Sequence, residues 1–264
     1  MSENCIEVSG LSVAYDSQEV IRGMELTIPK NEITMIIGAN GCGKSTLLKA
    51  IGRILPIKKG EVRINGSSVK HQRAKTLARE VAVLPQNPPA PAGLRVKELV
   101  AYGRFPYQSP MGGMKREDIE IVNWAMEVTG VLEFRDRMME ELSGGQRQRA
   151  WIALALAQDT PILLLDEPTT YLDMSHQLEI LELLKQLNQK RKISIVMVLH
   201  ELNNAAKFAT HLIGMKQGEI LFQGAPKKVI TKKNLASLYG IDATLQLDKG
   251  ESYPICIDFE LVKE

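Results

Sequence analysis

The chain has 264 residues, of which 44% are hydrophobic and 24% are charged, as in an ordinary soluble globular protein of one or two domains. Lys and Arg exceed Asp and Glu by 33 to 31, so the net charge of +2 argues against nucleic acid as the main partner. No apolar run approaches the ~20 residues that span a bilayer, and the start lacks the features of a signal peptide. Three scattered cysteines, Cys5, Cys42 and Cys256, have no metal-binding spacing, which favours a reduced, cytoplasmic compartment.

Residues 6–28 are predicted to form short strands, since Leu11-Val13-Tyr15 and Met24-Leu26-Ile28 repeat apolar side chains with period two. Tyr15 lies ahead of the main motif of the chain and has two readings. Its ring stacks on a purine base, or it is a half-buried strand aromatic.

The apolar strand at 33–37 leads into the pattern G-x-x-x-x-G-K-[ST], and a helical pattern follows. This order of strand, glycine loop and helix is the context that a phosphate-binding P-loop requires. Backbone N–H groups and the helix N-terminus attract phosphate, the lysine reaches the β- and γ-phosphates, and Ser45 ligates Mg²⁺. The nucleotide-binding residues predicted here are Gly38, Asn40, Gly41, Cys42, Gly43, Lys44, Ser45 and Thr46.

Next, the sequence predicts a strand at 60–64 that ends in a turn at Asn65-Gly66. A helix over 73–80 and a strand over 81–84 are predicted after it. The proline-rich stretch 85–91 can continue neither a sheet nor a helix, so a hinge and a subdomain boundary are predicted there. Residues 94–157 are predicted to be mainly helical, with Ile119, Val122 and Met126 on one helix face.

The sequence Leu142-Ser143-Gly144-Gly145-Gln146 precedes a helix-forming stretch. Ser143 is a good N-cap residue, and the two glycines let a ligand approach the backbone closely. On these residues alone, a capped helix start remains an alternative to a binding loop.

The continuous apolar run 162–165 predicts a strand buried on both faces, and it ends at Asp166 and Glu167. Ligands collect at the carboxyl ends of such strands, where two acids are costly to bury without a cation. Asp166 is therefore predicted to hold Mg²⁺ and Glu167 to polarise a water molecule. The alternative is an acidic pair at a helix N-terminus.

Next, the sequence predicts a helix over 174–187 with Met174, Leu178 and Leu181 on one face. A buried strand over 193–199 follows and ends at His200. A histidine at a strand end is often only structural. Residues 212–222 predict a hairpin, four lysines between 227 and 233 predict a solvated face, and residues beyond 241 suggest a strand-rich tail.

Taken together, these motifs resemble the ATP-binding subunit of ABC transporters over nearly the whole chain. The P-loop and the acidic strand end occur in many P-loop proteins, whereas Leu142 to Gln146 between them is far more selective. The resemblance implies an α/β fold: a RecA-like P-loop NTPase core with an N-terminal antiparallel β region and a helical subdomain that carries the signature motif. It implies one domain, with a catalytic lobe at 1–86 and 158–240, a helical subdomain at 87–157 and a tail at 241–264.

The same resemblance assigns further roles in ATP and Mg²⁺ binding. Tyr15 takes the place of the base-stacking aromatic, Gln86 that of the Q-loop glutamine near Mg²⁺ and water, and Asp173 that of the D-loop aspartate. His200 matches the switch histidine at the γ-phosphate. The catalytic residues implied are Glu167, His200, Lys44 and Gln86, the metal-binding residues are Ser45, Gln86 and Asp166, and the signature residues at the nucleotide are Ser143, Gly144, Gly145 and Gln146.

Within the family, Thr170-Tyr171-Leu172-Asp173 and the stretch from Val100 to Pro106 are similar to importers of ferric siderophores, haem and cobalamin. Ferric siderophore is the predicted cargo. The resemblance implies that two copies pair head to tail around ATP, at the cytoplasmic face of the membrane. Integral permease subunits and, indirectly, an extracytoplasmic substrate-binding protein are the other predicted partners.

Three other functions were weighed. A soluble ABC ATPase of DNA repair or translation usually carries long insertions, which this sequence lacks. An ATPase for iron–sulfur assembly would work without a permease, and a plain P-loop kinase has no need of residues 142–146.

Overall fold

The computed structural model describes residues 3–86, 88, 93–109, 112–170, 172–247 and 253–262. The proline-rich stretch predicted as a hinge lies partly outside these residues, and so does Tyr171. Two compact units divide the chain: residues 1–71 with 194–264, and residues 72–193.

Strands and helices follow one another in mixed order along the chain. The strands are β1 (Asn4–Tyr15), β2 (Gln18–Pro29), β3 (Ile33–Ile37), β4 (Lys59–Ile64), β5 (Ser67–Ser68), β6 (Val81–Leu84), β7 (Ile162–Asp166), β8 (Ser194–Val198), β9 (His211–Lys216), β10 (Glu219–Gly224), β11 (Ile241–Gln246) and β12 (Ile255–Leu261). The helices are α1 (Lys44–Ile51), α2 (Ala74–Glu80), α3 (Val96–Ala101), α4 (Arg116–Val128), α5 (Gly144–Ala157), α6 (Met174–Arg191), α7 (Leu202–Phe208), α8 (Pro226–Val229) and α9 (Lys232–Tyr239).

The first unit contains an antiparallel sheet in the order β2-β1-β4-β5 and a second sheet built on β3. In that second sheet β3 pairs in parallel with both β8 and β9, and β10 adds antiparallel to β9. All five residues of β3 and of β8 are buried, as continuous apolar strands covered on both faces require. The P-loop leaves the carboxyl end of β3, where ligands of parallel sheets bind.

The C-terminal part of the first unit is a helix followed by a hairpin. Helix α9 ends at Gly240, whose φ of 71° is the left-handed conformation that closes many helices. Strands β11 and β12 pair antiparallel after it, so the strand-rich tail predicted beyond residue 241 is confirmed. The lysine-rich face is also confirmed, because Lys227, Lys228, Lys232 and Lys233 are all exposed.

The second unit joins the parallel pair β6 and β7 to a set of helices. Helices α3 and α4 pack on α5 around Leu99, Val100, Ala125, Met126 and Ile152, all of which are buried. The mainly helical character predicted for 94–157 is thereby confirmed.

Two predicted helix faces are only partly buried. Ile119 is 49% exposed at the start of α4, while Val122 and Met126 are covered. In α6 the first-turn Met174 is 80% exposed and Leu178 is 39% exposed, while Leu181, Leu184 and Leu187 are buried. Periodicity alone cannot show where along a helix the burial stops. Within the described ranges, no helix is long and apolar enough to cross a membrane.

Candidate nucleotide-binding and hydrolysis site

The P-loop is pressed against β9 at two glycines. Gly38 has a φ of 154°, and a Cβ on it would lie 2.1 Å from the Met215 carbonyl oxygen. Gly43 has a φ of 106°, and its Cβ would lie 2.9 Å from Met215 Cε. A side chain at either position would collide with β9 and strain the backbone, so the loop requires glycine there.

Lys44 lies inside this loop at the first residue of α1. Its Nζ donates hydrogen bonds to the carbonyl oxygens of Gly38 at 2.8 Å and Ala39 at 2.9 Å. The side chain is buried, and Cys42 Sγ lies 3.9 Å from the same Nζ. A cation held at a helix N-terminus beside glycine N–H groups fits an anionic phosphate.

Tyr15 adjoins the P-loop at the end of β1. Thr46 Oγ1 lies 3.5 Å from the Tyr15 hydroxyl, and Tyr15 is 43% exposed. The Tyr15 ring is therefore in contact with Thr46 at its hydroxyl and partly open to solvent, so it is available for stacking.

Gln86 and Glu167 meet within the second unit. The Gln86 side-chain amide donates to Glu167 Oε2 at 2.5 Å, and the Thr170 hydroxyl donates to the same oxygen at 3.1 Å. Glu167 is only 9% exposed, and its φ of 51° is unusual for a residue other than glycine. Strain of this kind persists only where the surroundings fix the residue, as they often do at functional sites.

Asp166 ends β7 immediately before Glu167 and is 3% exposed. Burying a carboxylate is costly, and a divalent cation offsets that cost. One or two protein oxygens are enough for Mg²⁺ when substrate phosphates complete its shell. The residue types present therefore fit the predicted Mg²⁺ site.

The signature loop and the D-loop are also neighbours in the second unit. Ser143 caps α5: its hydroxyl accepts from Gln146 N at 3.2 Å, and its own N–H donates to Gln146 Oε1 at 3.1 Å. A Cβ on Gly145 would lie 3.4 Å from Leu172. A cavity of about 430 Å³ here is lined by Ser143, Gly145, Gln146, Leu172, Asp173 and His176, among others.

Asp173 caps the other helix at this cavity, α6. Its Oδ1 accepts from the His176 backbone N–H at 2.9 Å and from the Ser175 hydroxyl at 2.8 Å, and His176 Nδ1 lies 2.8 Å away. These bonds, the His176 N–H first, lower the pKa of Asp173 to about 2. The D-loop carboxylate is therefore ionised and held in place at neutral pH.

His200 follows β8 in the first unit and borders a cavity of about 410 Å³. The same cavity is lined by Asn203, Tyr239, Cys256 and Phe259. Nothing in the sequence pattern had pointed to Tyr239 or Asn203.

The predicted residues thus form four local groups. The P-loop with Tyr15 and the His200 cavity belong to the first unit, while the Gln86–Glu167 pair with Asp166 and the signature loop with Asp173 belong to the second. Thr170 is an addition, since no sequence pattern predicted its bond to Glu167.

A family model described as "ABC transporter" matches residues 21–170. Over 260 residues the chain is 46% identical to the iron(3+)-hydroxamate import ATP-binding protein FhuC of Bacillus subtilis (strain 168). The alignment covers 98% of this chain and 97% of FhuC. It is 42% identical to the ferric enterobactin transport ATP-binding protein FepC of Escherichia coli (strain K12), over 97% of this chain and 96% of FepC.

Solved structures share the fold. A metal-chelate type ABC transporter in an inward-facing conformation matches with a TM-score of 0.82 at 25% identity, covering 98% of this chain and 97% of that one. The dimeric ATP-binding cassette MJ0796, bound to ADP and Pi in a post-hydrolysis state, matches with a TM-score of 0.76 at 28% identity, covering 83% and 98%. The expected α/β fold with an antiparallel β region is confirmed.

Proposed function

Because this chain belongs to the ATP-binding subunits of ABC transporters, we propose that it hydrolyses ATP to power import of an iron–siderophore complex through a separate membrane permease. The contact of Gln86 with Glu167 carries the hydrolytic part of this proposal, because it orients a carboxylate at the end of a buried strand. The names of FhuC and FepC support the cargo. A haem or cobalamin importer is the alternative within the same branch.

We assign ATP to the P-loop. Lys44 and the N-terminus of α1 bind the β- and γ-phosphates, and the ring of Tyr15 stacks on the base. Ser45, Gln86 and Asp166 would hold Mg²⁺, which would neutralise phosphate charge. The remaining contacts are backbone and side-chain donors of Gly38, Asn40, Gly41, Cys42, Gly43 and Thr46.

We assign the hydrolytic step to Glu167, which accepts a proton from the attacking water as that water reaches the γ-phosphate. The amide of Gln86 and the hydroxyl of Thr170 keep one carboxylate oxygen in place and thereby orient the carboxylate. His200 and Lys44 stabilise the charge that develops on the γ-phosphate.

We further propose that two copies pair head to tail, so that the signature residues Ser143, Gly144, Gly145 and Gln146 of one copy close over the ATP of the other. The fixed Ser143 hydroxyl and the N-terminus of α5 offer donors to the γ-phosphate. Exposed Met174 and Leu178 beside Asp173 offer apolar surface for such a contact. ADP lacks the group that these donors bind, so hydrolysis removes the affinity that holds the pair closed.

The permease would hold the subunit at the cytoplasmic face of the membrane, with an extracytoplasmic substrate-binding protein acting indirectly. Phe105 is 66% exposed and Tyr102 is 52% exposed on the helical stretch assigned as the subdomain 87–157, which supports a docking surface there. Their backbone is fixed, since a Cβ on Gly103 would lie 2.5 Å from the Leu154 carbonyl. We propose that Gln86 and the proline-rich loop transmit closure to the permease.

The test of this function is recovery of the partner and the cargo. Affinity purification of the full chain from detergent-solubilised membranes should bring down an integral permease. A deletion strain should fail to grow on a ferric hydroxamate as the sole iron source, and the wild-type gene should restore growth. Normal growth on ferric siderophores with a defect on haem or cobalamin would overturn the cargo assignment. Recovery of soluble assembly partners without a permease would overturn transport.

Substituting Ser143 with arginine should prevent the head-to-tail pair. The arginine side chain removes the hydroxyl that caps α5 and fills the place where the ATP of the other copy approaches. We therefore expect ATPase activity to fall at least 100-fold, as it does when donors to a transition state are lost. ATP binding to the P-loop should persist. Size-exclusion chromatography with ATP in a Glu167→Gln background should then show monomer only. Ser67→Arg, at an exposed position of β5, is the matched control for added bulk and charge, and full activity of Ser143→Arg would contradict the pairing.

A further inference from the structure

The C-terminal segment of the first unit, residues 232–247 and 253–262, makes two contacts with other elements of that unit, one with β9 and one with α7. Helix α9 packs on β9, and Lys216 Nζ donates to the Ser237 carbonyl at 2.5 Å. The hairpin β11–β12 follows, and the Val262 N–H donates to the Gly240 carbonyl at 2.9 Å. The segment is therefore tied at its start and at its end.

The first contact places α9 against β9, the strand on which Gly38 and Gly43 of the P-loop also pack. Tyr239 ends α9 and lines the cavity that His200 borders.

The second contact joins the hairpin to the helix that follows His200. The Asn203 side chain donates to the Cys256 carbonyl at 3.0 Å and accepts from the Cys256 N–H at 2.9 Å. It thereby pairs with both backbone groups of one β12 residue, as a neighbouring strand would. His200, Asn203, Tyr239 and Cys256 all line one cavity, so the two contacts flank a common space.

We propose that Asn203 is a positioning residue for ATP hydrolysis: it anchors α7 to β12, so that His200 keeps its place at the γ-phosphate. The inference rests on the role proposed above for His200, and it does not depend on the cargo. It predicts a change of kcat rather than of the KM for ATP, because His200 acts on the reacting phosphate whereas the P-loop binds ATP in every state.

Asn203→Ala removes both bonds to Cys256. It should lower kcat about three- to ten-fold and leave the KM for ATP within two-fold. Asn203→Asp, which keeps the acceptor and loses the donor, should fall between Ala and wild type. Asn204→Ala, one position along α7, is the control and should match wild type.

Equal changes of KM and kcat in Asn203→Ala, or a kcat equal to that of wild type, would overturn the proposal. Because ATPase activity is measured without a permease or siderophore, failure of the import proposal would leave this outcome intact.

Discussion

Glu167→Gln should lower the rate of ATP hydrolysis at least 100-fold while ATP still binds with near wild-type affinity. The glutamine keeps the size of the side chain and still accepts from Gln86 and Thr170 through its carbonyl oxygen. It cannot take a proton from water, and general bases of this kind contribute about 100- to 10,000-fold to a rate. Single-turnover hydrolysis and equilibrium binding of a fluorescent ATP analogue measure the two effects separately.

The same variant should accumulate as an ATP-bound dimer, because in the proposed cycle closure precedes hydrolysis and only hydrolysis reopens the pair. Sedimentation velocity with ATP and with ADP should give dimer in the first case and monomer in the second. Glu182→Gln, on α6 of the same unit, is the matched control and should hydrolyse ATP normally. Hydrolysis by Glu167→Gln within ten-fold of wild type would show that another group takes the proton.

Much of the fold was predictable because its strongest signals are local. The apolar runs of β3, β7 and β8 are continuous because both faces of these strands are covered, and such runs can be recognised without any knowledge of their partners. The P-loop could be located for a similar reason, since Gly38 and Gly43 satisfy backbone and packing demands that no other residue meets.

The signature loop shows where local reasoning stops. Ser143 caps α5, so the capped helix start that the sequence left open as an alternative is present in the structure. The cap and the binding role are compatible, because the capping oxygen remains exposed at the cavity beside Asp173. Only the resemblance to a family suggested the second role.

The contacts that sequence reasoning missed join residues far apart in the chain. Asn203 pairs with Cys256 across 53 positions, and Arg104 reaches the Ala157 carbonyl, also 53 positions away. Neither contact leaves a periodic or motif-like trace, because each depends on how separate elements are placed. The exposure of Met174 and Ile119 was not predicted either. Helix periodicity gives the direction of the buried face but not how far along the helix that face is covered.

The Arg104–Asp118 ion pair involves the stretch from Val100 to Pro106, one of the two segments that resemble importers of ferric siderophores, haem and cobalamin. Arg104 Nε donates to Asp118 Oδ1 at 2.8 Å, and the two side chains are 6% and 7% exposed. Arg104 also donates to the Ala157 carbonyl at 2.9 Å and lies 4.0 Å from the centre of the Tyr107 ring. The pair thereby joins α4 and the end of α5 to the segment that presents Phe105.

Arg104→Met should therefore destabilise the protein by about 3–5 kcal/mol, since it leaves the Asp118 carboxylate buried without its cation. Burial raises the pKa of Asp118, but the bonds from Arg104 and the Lys115 N–H outweigh it and leave the pKa below its usual 3.8. The stabilisation by Arg104 is thus fully present above pH 3.8 and is lost as the pH falls through the lowered value. Urea unfolding at pH 7 and at pH values below 4 measures both effects.

The double variant Arg104→Met/Asp118→Asn separates charge from packing. The asparagine oxygen keeps the bond from the Lys115 N–H, which lies 3.0 Å from Asp118 Oδ2, while the uncompensated charge disappears. We expect it to recover more than half of the lost stability, because an isolated buried charge costs more than a buried neutral amide. Arg116→Met, in an ion pair whose side chains are 93% and 64% exposed, should cost no more than about 0.5 kcal/mol. Equal losses in the buried and the exposed variants would mean that solvent screens the Arg104–Asp118 pair and that the segment owes its fixed position to Gly103 and Tyr107 instead.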